Sequence, residues 1–318
     1  MSSREQQGRD HGRGDDDHGH DCGSDRAPPK DFSAAFAIGT ALNLGIVAMQ
    51  VVYGLIAHST ALLADAGHNL SDVLGLVVAW GAASLAKRPA TARFTYGLRG
   101  SSIIAALLNS SFLLVVMGGI AWEAIQRFSA PAAVHGKIVM AVAAAAIVIN
   151  GLSAWLFASG RKGDINVRAA FLHMLSDALV SFGVVCAGAA IVYTGDPWID
   201  PAVTLAIVAI IVYGTWGLLR DSICMALAAV PGEIDPEAVR TYLNGLAPVR
   251  RIHDLHIWPM STTETALTCH LVIPGGHPGD GFTMDLAREL HRRFNIQHST
   301  VQVEVTEDAE CHLESAHP

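Results

Sequence analysis

Two stretches decide the fold: His68-Asn69-Leu70-Ser71-Asp72-Val73-Leu74 and His173-Met174-Leu175-Ser176-Asp177-Ala178-Leu179. Both follow the pattern His-x-Leu-Ser-Asp-x-Leu, and both sit in runs that otherwise read as membrane-buried helix. A His and an Asp four apart share one helix face, roughly 6 Å apart along the axis. Each ionisable side chain in hydrocarbon costs on the order of a few kcal/mol, so all four need partners. Two imidazoles and two carboxylates facing each other across two helices make a closed tetrahedral site that suits Zn(II). Two intrahelical His–Asp pairs that merely pack helices are the plainer alternative.

Outward from the motifs, six apolar segments are each long enough to span a bilayer: 33–56, 61–86, 101–126, 136–159, 167–193 and 201–222. The joints between them are short and carry breakers or charge, among them Lys87-Arg88-Pro89 and Asp200-Pro201. The second of these reads as an N-cap followed by Pro at the first helical position. Half the residues are hydrophobic and only 16% are charged, against ~25% in a soluble domain. The net charge of -8 gathers in the tails and the C-terminal third, and no basic face argues for nucleic acid. Five scattered cysteines (Cys22, Cys186, Cys224, Cys269, Cys311) form no disulfide framework. The first 30 residues hold no apolar run, so a cleavable signal peptide is not expected.

Lys87, Arg88, Arg93 and Arg99 mark the second joint, and Arg161, Lys162 and Arg168 the fourth. The other joints carry few basic residues, so both termini are expected on the cytoplasmic side, in a bacterial inner membrane. Residues 1–32 read as a polar, His- and Asp-rich disordered tail and 33–222 as the membrane domain. Residues 223–306 read as a small cytoplasmic domain, and 307–318 as a second tail. Within the small domain, helical spacing over 235–247 and 282–294 and strand alternation over 251–260, 264–273 and 299–305 predict the order αββαβ. The fold class is thus membrane all-α with a small ferredoxin-like α+β domain.

This combination resembles the cation diffusion facilitator family of divalent-metal transporters. Carrying the likeness are the paired HxxxD motifs, Ser59-Thr60-Ala61-Leu62-Leu63-Ala64-Asp65-Ala66 leading into His68, Tyr96-Gly97, and His253-Asp254-Leu255-His256-Ile257-Trp258. The resemblance spans residues 33–306. It implies proton-coupled export of a divalent cation by a homodimer through alternating access, with protons as counter-substrate and the bilayer as surroundings. It places the transport site at His68, Asp72, His173 and Asp177, and His in the first motif position goes with zinc preference. It also implies a regulatory zinc site near the dimer interface from His253, His270 and Glu304. His256, Asp280, His291 and His298 are weaker ligand candidates, and ordinary surface histidines are the alternative. The loop 87–99 has neither Asp nor His, so the extra metal site some relatives carry there is not expected. The resemblance also implies a charge pair that helps hold the dimer together, for which Arg99 and Asp221 are the expected partners, with interfacial anchoring as the rival role for Arg99.

Asp65, one turn before His68, either orients the free ring nitrogen of that histidine, lines the outer mouth, or is a solvated residue near a helix start. Asn43, Gln50, Asn109 and Asn150 either line the cation path or hydrogen-bond between helices. Ser71 and Ser176 either support the carboxylates or bond back to their own helices. His11, His18, His20 and Cys22 suggest a loose metal-collecting tail. Zinc is expected as substrate and as a regulatory ligand, with no organic cofactor. The rivals are an intramembrane zinc hydrolase, which needs an open metal position and a base, and a membrane metal sensor. No HExxH motif supports the first.

Overall fold

In a computed structural model, residues 33–158 and 165–306 are described. Six helices run α1 (Ser33–Ile56), α2 (Thr60–Ala86), α3 (Ser101–Ser129), α4 (Gly136–Ala158), α5 (Ile165–Thr194) and α6 (Ile199–Ala226). All six are long and apolar enough to cross a membrane. Large apolar side chains point outward along them, including Trp80, Val115 and Trp155, each more than 70% exposed. A helix whose outside is this apolar has lipid, not water, as its solvent.

Where lipid removes the hydrophobic drive between helices, close packing of small residues takes over. Gly67, Ser71 and Gly75 repeat every four residues along α2. A Cβ at Gly67 would lie 3.0 Å from Met117 Cε, and one at Gly75 would lie 2.9 Å from Asn109 Nδ2, both on α3. Between α4 and α5 the contact is tighter: a Cβ at Gly188 would lie 3.0 Å from the Gly136 carbonyl oxygen and 2.8 Å from Met140 Cγ. Inward, Leu62, Met117, Val139, Ala143, Val184 and Val208 join five helices in one apolar cluster.

Asp200 corrects the expectation for its own helix. It lies inside the first turn of α6, whose N-cap is Trp198. Its fully buried carboxylate crosses to the start of α2 instead. There it accepts hydrogen bonds from Ser59 Oγ (2.5 Å), the Thr60 N–H (2.7 Å) and Thr60 Oγ1 (2.8 Å). Ser59 caps α2 itself by accepting from the Leu62 N–H. An anion on exposed N–H groups complements the positive end of the helix dipole, and here it also anchors α2 to α6.

The C-terminal domain follows as α7 (Pro236–Asn244), β1 (Arg251–Pro259), β2 (Thr265–Val272), α8 (Asp280–Phe294) and β3 (His298–Glu304). β1 and β2 form an antiparallel hairpin, and β3 returns parallel to β2 after the α8 crossover, giving the sheet order β1-β2-β3. Asp235 caps α7 through the Glu237 N–H, and Asn295 closes α8 in the left-handed conformation. Leu243, Leu267, Leu271, Leu286 and Leu290 fill the space between the two helices and the sheet.

The domain meets the helices through the β1–β2 turn and the start of β3. Within the chain, Arg99 Nη1 donates to Glu264 Oε2 at 2.8 Å, a partner that the sequence reading did not name. The turn lies over the start of α3. The Thr262 N–H donates to Ser102 Oγ, and the Tyr96 ring stands edge-on to His298 with centroids 5.4 Å apart. A cavity of about 560 Å³ remains between this turn, α2, α3 and α6, with Lys87 and Arg99 at its rim and Asn109 at its inner end.

Candidate metal centres

The two motifs meet. α2 and α5 run antiparallel, so the His of each stands opposite the Asp of the other. His173 Nε2 lies 3.3 Å from Asp72 Oδ2 and 3.6 Å from Asp177 Oδ2. His68 Nε2 lies 3.5 Å from Asp177 Oδ1 and 3.6 Å from Asp72 Oδ2. Ligand atoms of His68, Asp72 and Asp177 all fall within 4.8 Å of one another, while the His68 and His173 rings stand 6.1 Å apart. Both Asp177 oxygens and Asp72 Oδ2 are buried without a hydrogen-bond donor among the described residues. Carboxylate oxygens left bare in a low-dielectric interior call for a cation, and imidazole beside them selects a borderline one. The centre is closed around Asp177 (1% exposed) and more open at His173 (38%), one turn nearer the C-terminal domain.

Asp65 sits behind this centre and is fully buried, so the solvated alternative does not hold. Its Oδ2 accepts from Gln50 Nε2 (2.5 Å) and Ser181 Oγ (2.9 Å). Asn69 Nδ2 donates onward to Gln50 Oε1 at 3.2 Å. Gln50 therefore hydrogen-bonds between helices. Asn43 and Asn150 are buried too, and Asn43 Oδ1 and both polar atoms of the Asn150 amide have no partner among the described residues. Ser176 bonds back to the Leu172 carbonyl of its own helix, while Ser71 approaches Asn109 Oδ1 at 3.5 Å.

A second cluster lies on the sheet. His253 and His270 are opposite each other on β1 and β2, with ring centroids 4.9 Å apart. Glu304, at the end of β3, takes His253 Nε2 at 3.0 Å on one oxygen and His270 Nδ1 at 2.9 Å on the other. Burial works against charge on Glu304, yet hydrogen bonds and positive charge from the two histidines hold its carboxyl below the usual carboxylate range. The ligand atoms of these three residues lie within 4.8 Å of one another, and His253 Nδ1 is buried with no partner among the described residues. That donor set fits a zinc ion.

Asp254 is the residue that sequence reading missed. A β-bulge between His253 and His256 puts Asp254 at φ 51°, and its carboxylate reaches His256 Nε2 (2.9 Å) and His270 Nε2 (3.6 Å). Strand alternation alone assigns it to the opposite face. Asp280 begins α8, His291 lies in its last turn and His298 packs on Tyr96, none of them in this cluster. The tail residues His11, His18, His20 and Cys22 lie outside the described residues.

Two family models match the chain. One, described as a cation efflux transmembrane domain, covers residues 36–225, and the other, described as a cation efflux protein cytoplasmic domain, covers 231–306. The zinc transporter ZitB of Escherichia coli is 33% identical over 300 residues, 93% of this chain and 96% of that protein. The cadmium, cobalt and zinc/H(+)-K(+) antiporter of Bacillus subtilis is 32% identical over 269 residues, 82% and 85% of the two chains. The metal cation efflux system protein CzcD of Cupriavidus metallidurans is 32% identical over 289 residues, 91% and 89%.

Proposed function

Since this chain belongs to the cation efflux family, the cation diffusion facilitators that its motifs resemble, we propose that it exports zinc from the cytoplasm in exchange for protons. It is a secondary transporter, not an enzyme. The observation that carries the zinc assignment is the crossed pairing of His68 with Asp177 and of His173 with Asp72 between α2 and α5. Neutral imidazole and ionised carboxylate hold the ion; protonating the same groups displaces it, so metal and proton compete for one site. Exchange then requires only that two states of the protein open the site to opposite sides. The greater exposure at His173, toward the C-terminal domain, fits loading from the cytoplasm.

Both termini lie in the cytoplasm in this reading, as the basic joints of the even-numbered loops require. The protein works as a homodimer in a bacterial inner membrane, a reading supported by the match of its C-terminal domain to the family's cytoplasmic domain. His253, His270 and Glu304, with Asp254 and His256 beside them, hold a regulatory zinc that stiffens that domain. The test is zinc uptake into sealed vesicles carrying the purified protein and an imposed proton gradient. Uptake that follows the gradient and collapses with it is expected, and uptake indifferent to the gradient rejects the exchange.

A further inference from the structure

One face of α2 carries two orphaned atoms a turn apart. His68 Nε2 faces the carboxylates of Asp72 and Asp177, which turns Nδ1 away from them. That Nδ1 is buried and has no hydrogen-bond partner among the described residues. Three residues earlier, Oδ1 of the fully buried Asp65 is in the same condition. The other oxygen of Asp65 is pinned by Gln50 of α1 and Ser181 of α5, and Gln50 is held in turn by Asn69. Three helices thus fix this carboxylate with one acceptor left over. Side chains three apart on a helix have Cβ atoms about 5–6 Å apart, which puts the two orphans within side-chain reach of each other.

We infer that Asp65 is a positioning residue for His68, its Oδ1 accepting the Nδ1–H of that imidazole when Nε2 holds the transported ion. This rests on His68 being a ligand of the transport site. A ligating imidazole has to carry its proton on the nitrogen that faces away from the metal. A fixed acceptor there selects that tautomer, sets the ring plane and makes Nε2 a stronger donor to the metal. It also gives a reason for a carboxylate in this place. The Gln50–Asn69–Ser181 cluster needs only one oxygen to satisfy it, and the second oxygen has no structural use until His68 turns to it.

The test is zinc titration of the full-length protein carrying His253→Ala and His270→Ala, so that the sheet cluster does not contribute, each variant being compared with this same parent. Asp65→Leu keeps the branched shape and removes both acceptors. It is expected to lower zinc affinity roughly 10–100-fold, the usual cost of losing an outer partner of a ligating histidine. Asp65→Asn restores much of that loss, because its amide oxygen can accept from His68 once the Gln50 and Asn69 amides turn over. In a His68→Ala background Asp65→Leu has little further effect. An equal loss in both backgrounds, or no loss in either, overturns the positioning role while leaving the site reading intact. Unchanged affinity in His68→Ala itself overturns the site reading, and this inference with it. Should Asp65→Leu fail to fold, the ¹⁵N shifts of the His68 ring in the zinc-loaded protein with Asp65 intact decide. Zinc on Nε2 with a proton on Nδ1 supports the proposal, and the reverse arrangement sinks it.

Discussion

His173 Nε2 stands closer to Asp72 across the helix interface (3.3 Å) than to Asp177 one turn away on its own helix (3.6 Å). His68 Nε2 lies about equally far from Asp177 across the interface (3.5 Å) and from Asp72 on its own helix (3.6 Å). Pairs that merely packed each helix internally have no need of the partner helix. The crossed arrangement brings α2 and α5 together through four side chains, and a cation held between them would touch both helices at once.

Removing either carboxylate is therefore expected to end transport. Asp177→Ala and Asp72→Ala should each cut zinc uptake into vesicles by more than the roughly 10–100-fold typical of losing an outer partner. Both variants should stay folded and dimeric by size-exclusion chromatography. Uptake at the parent's rate in either one rejects the site.

His68→Asp is expected to raise cadmium transport relative to zinc. The change replaces an imidazole with an oxygen donor and relaxes the match to zinc. Competition between the two metals for uptake measures the ratio, and an unchanged ratio moves selectivity to other residues.

Zinc on the sheet cluster should stabilise the protein by mass action even when the membrane site is disabled. In the Asp177→Ala protein, zinc is expected to raise the thermal midpoint, and adding His253→Ala with His270→Ala should abolish the rise. With the membrane ligands intact, the same pair should lower uptake only partly. A midpoint indifferent to zinc in Asp177→Ala removes the regulatory site.

The Arg99–Glu264 pair is partly exposed, 42% and 33%, so its stability contribution should stay below about 1 kcal/mol. Its importance is positional, joining the start of α3 to the β1–β2 turn. Arg99→Glu and Glu264→Arg are each expected to loosen the domain, seen as faster proteolysis after α6, and the double swap should restore protection. Equal protection in all four proteins dismisses the contact.

Burial pushes the Cys269 thiol up to about 12. The unfolded thiol ionises near 8.5 while the folded one cannot, so the folded state loses stability as pH rises through that interval. The parent should therefore lose more of its thermal midpoint between pH 8 and pH 10 than Cys269→Val, and its Cys269 should resist maleimide until denatured. Identical alkaline profiles argue that this thiol ionises freely.

The helices were legible because a spanning segment must satisfy its backbone internally and clothe itself in apolar side chains, which leaves long, plain runs. All six helices begin within two residues of the sequence reading. That the two His–Asp pairs would meet was legible for the converse reason: ionisable groups stand out against such a background. Asp254 was hidden because a bulge and a left-handed backbone leave no trace in residue alternation. Asp200 was assigned to its own helix because a cap between helices looks, in one dimension, like a cap within one. The Arg99–Glu264 bond joins residues 165 apart and depends on how two domains dock, which no local pattern records.

The grip of Asp200 on Thr60 makes the N-terminal end of α2 a pivot. At 1.5 Å per residue, His68 lies about 12 Å from that pivot and Asp72 about 18 Å. Any tilt of α2 about it swings Asp72 half again as far as His68. In the proposed transport cycle such a tilt would release the ion unevenly, first from Asp72 beside His173 and last from the deep corner where His68 meets Asp177.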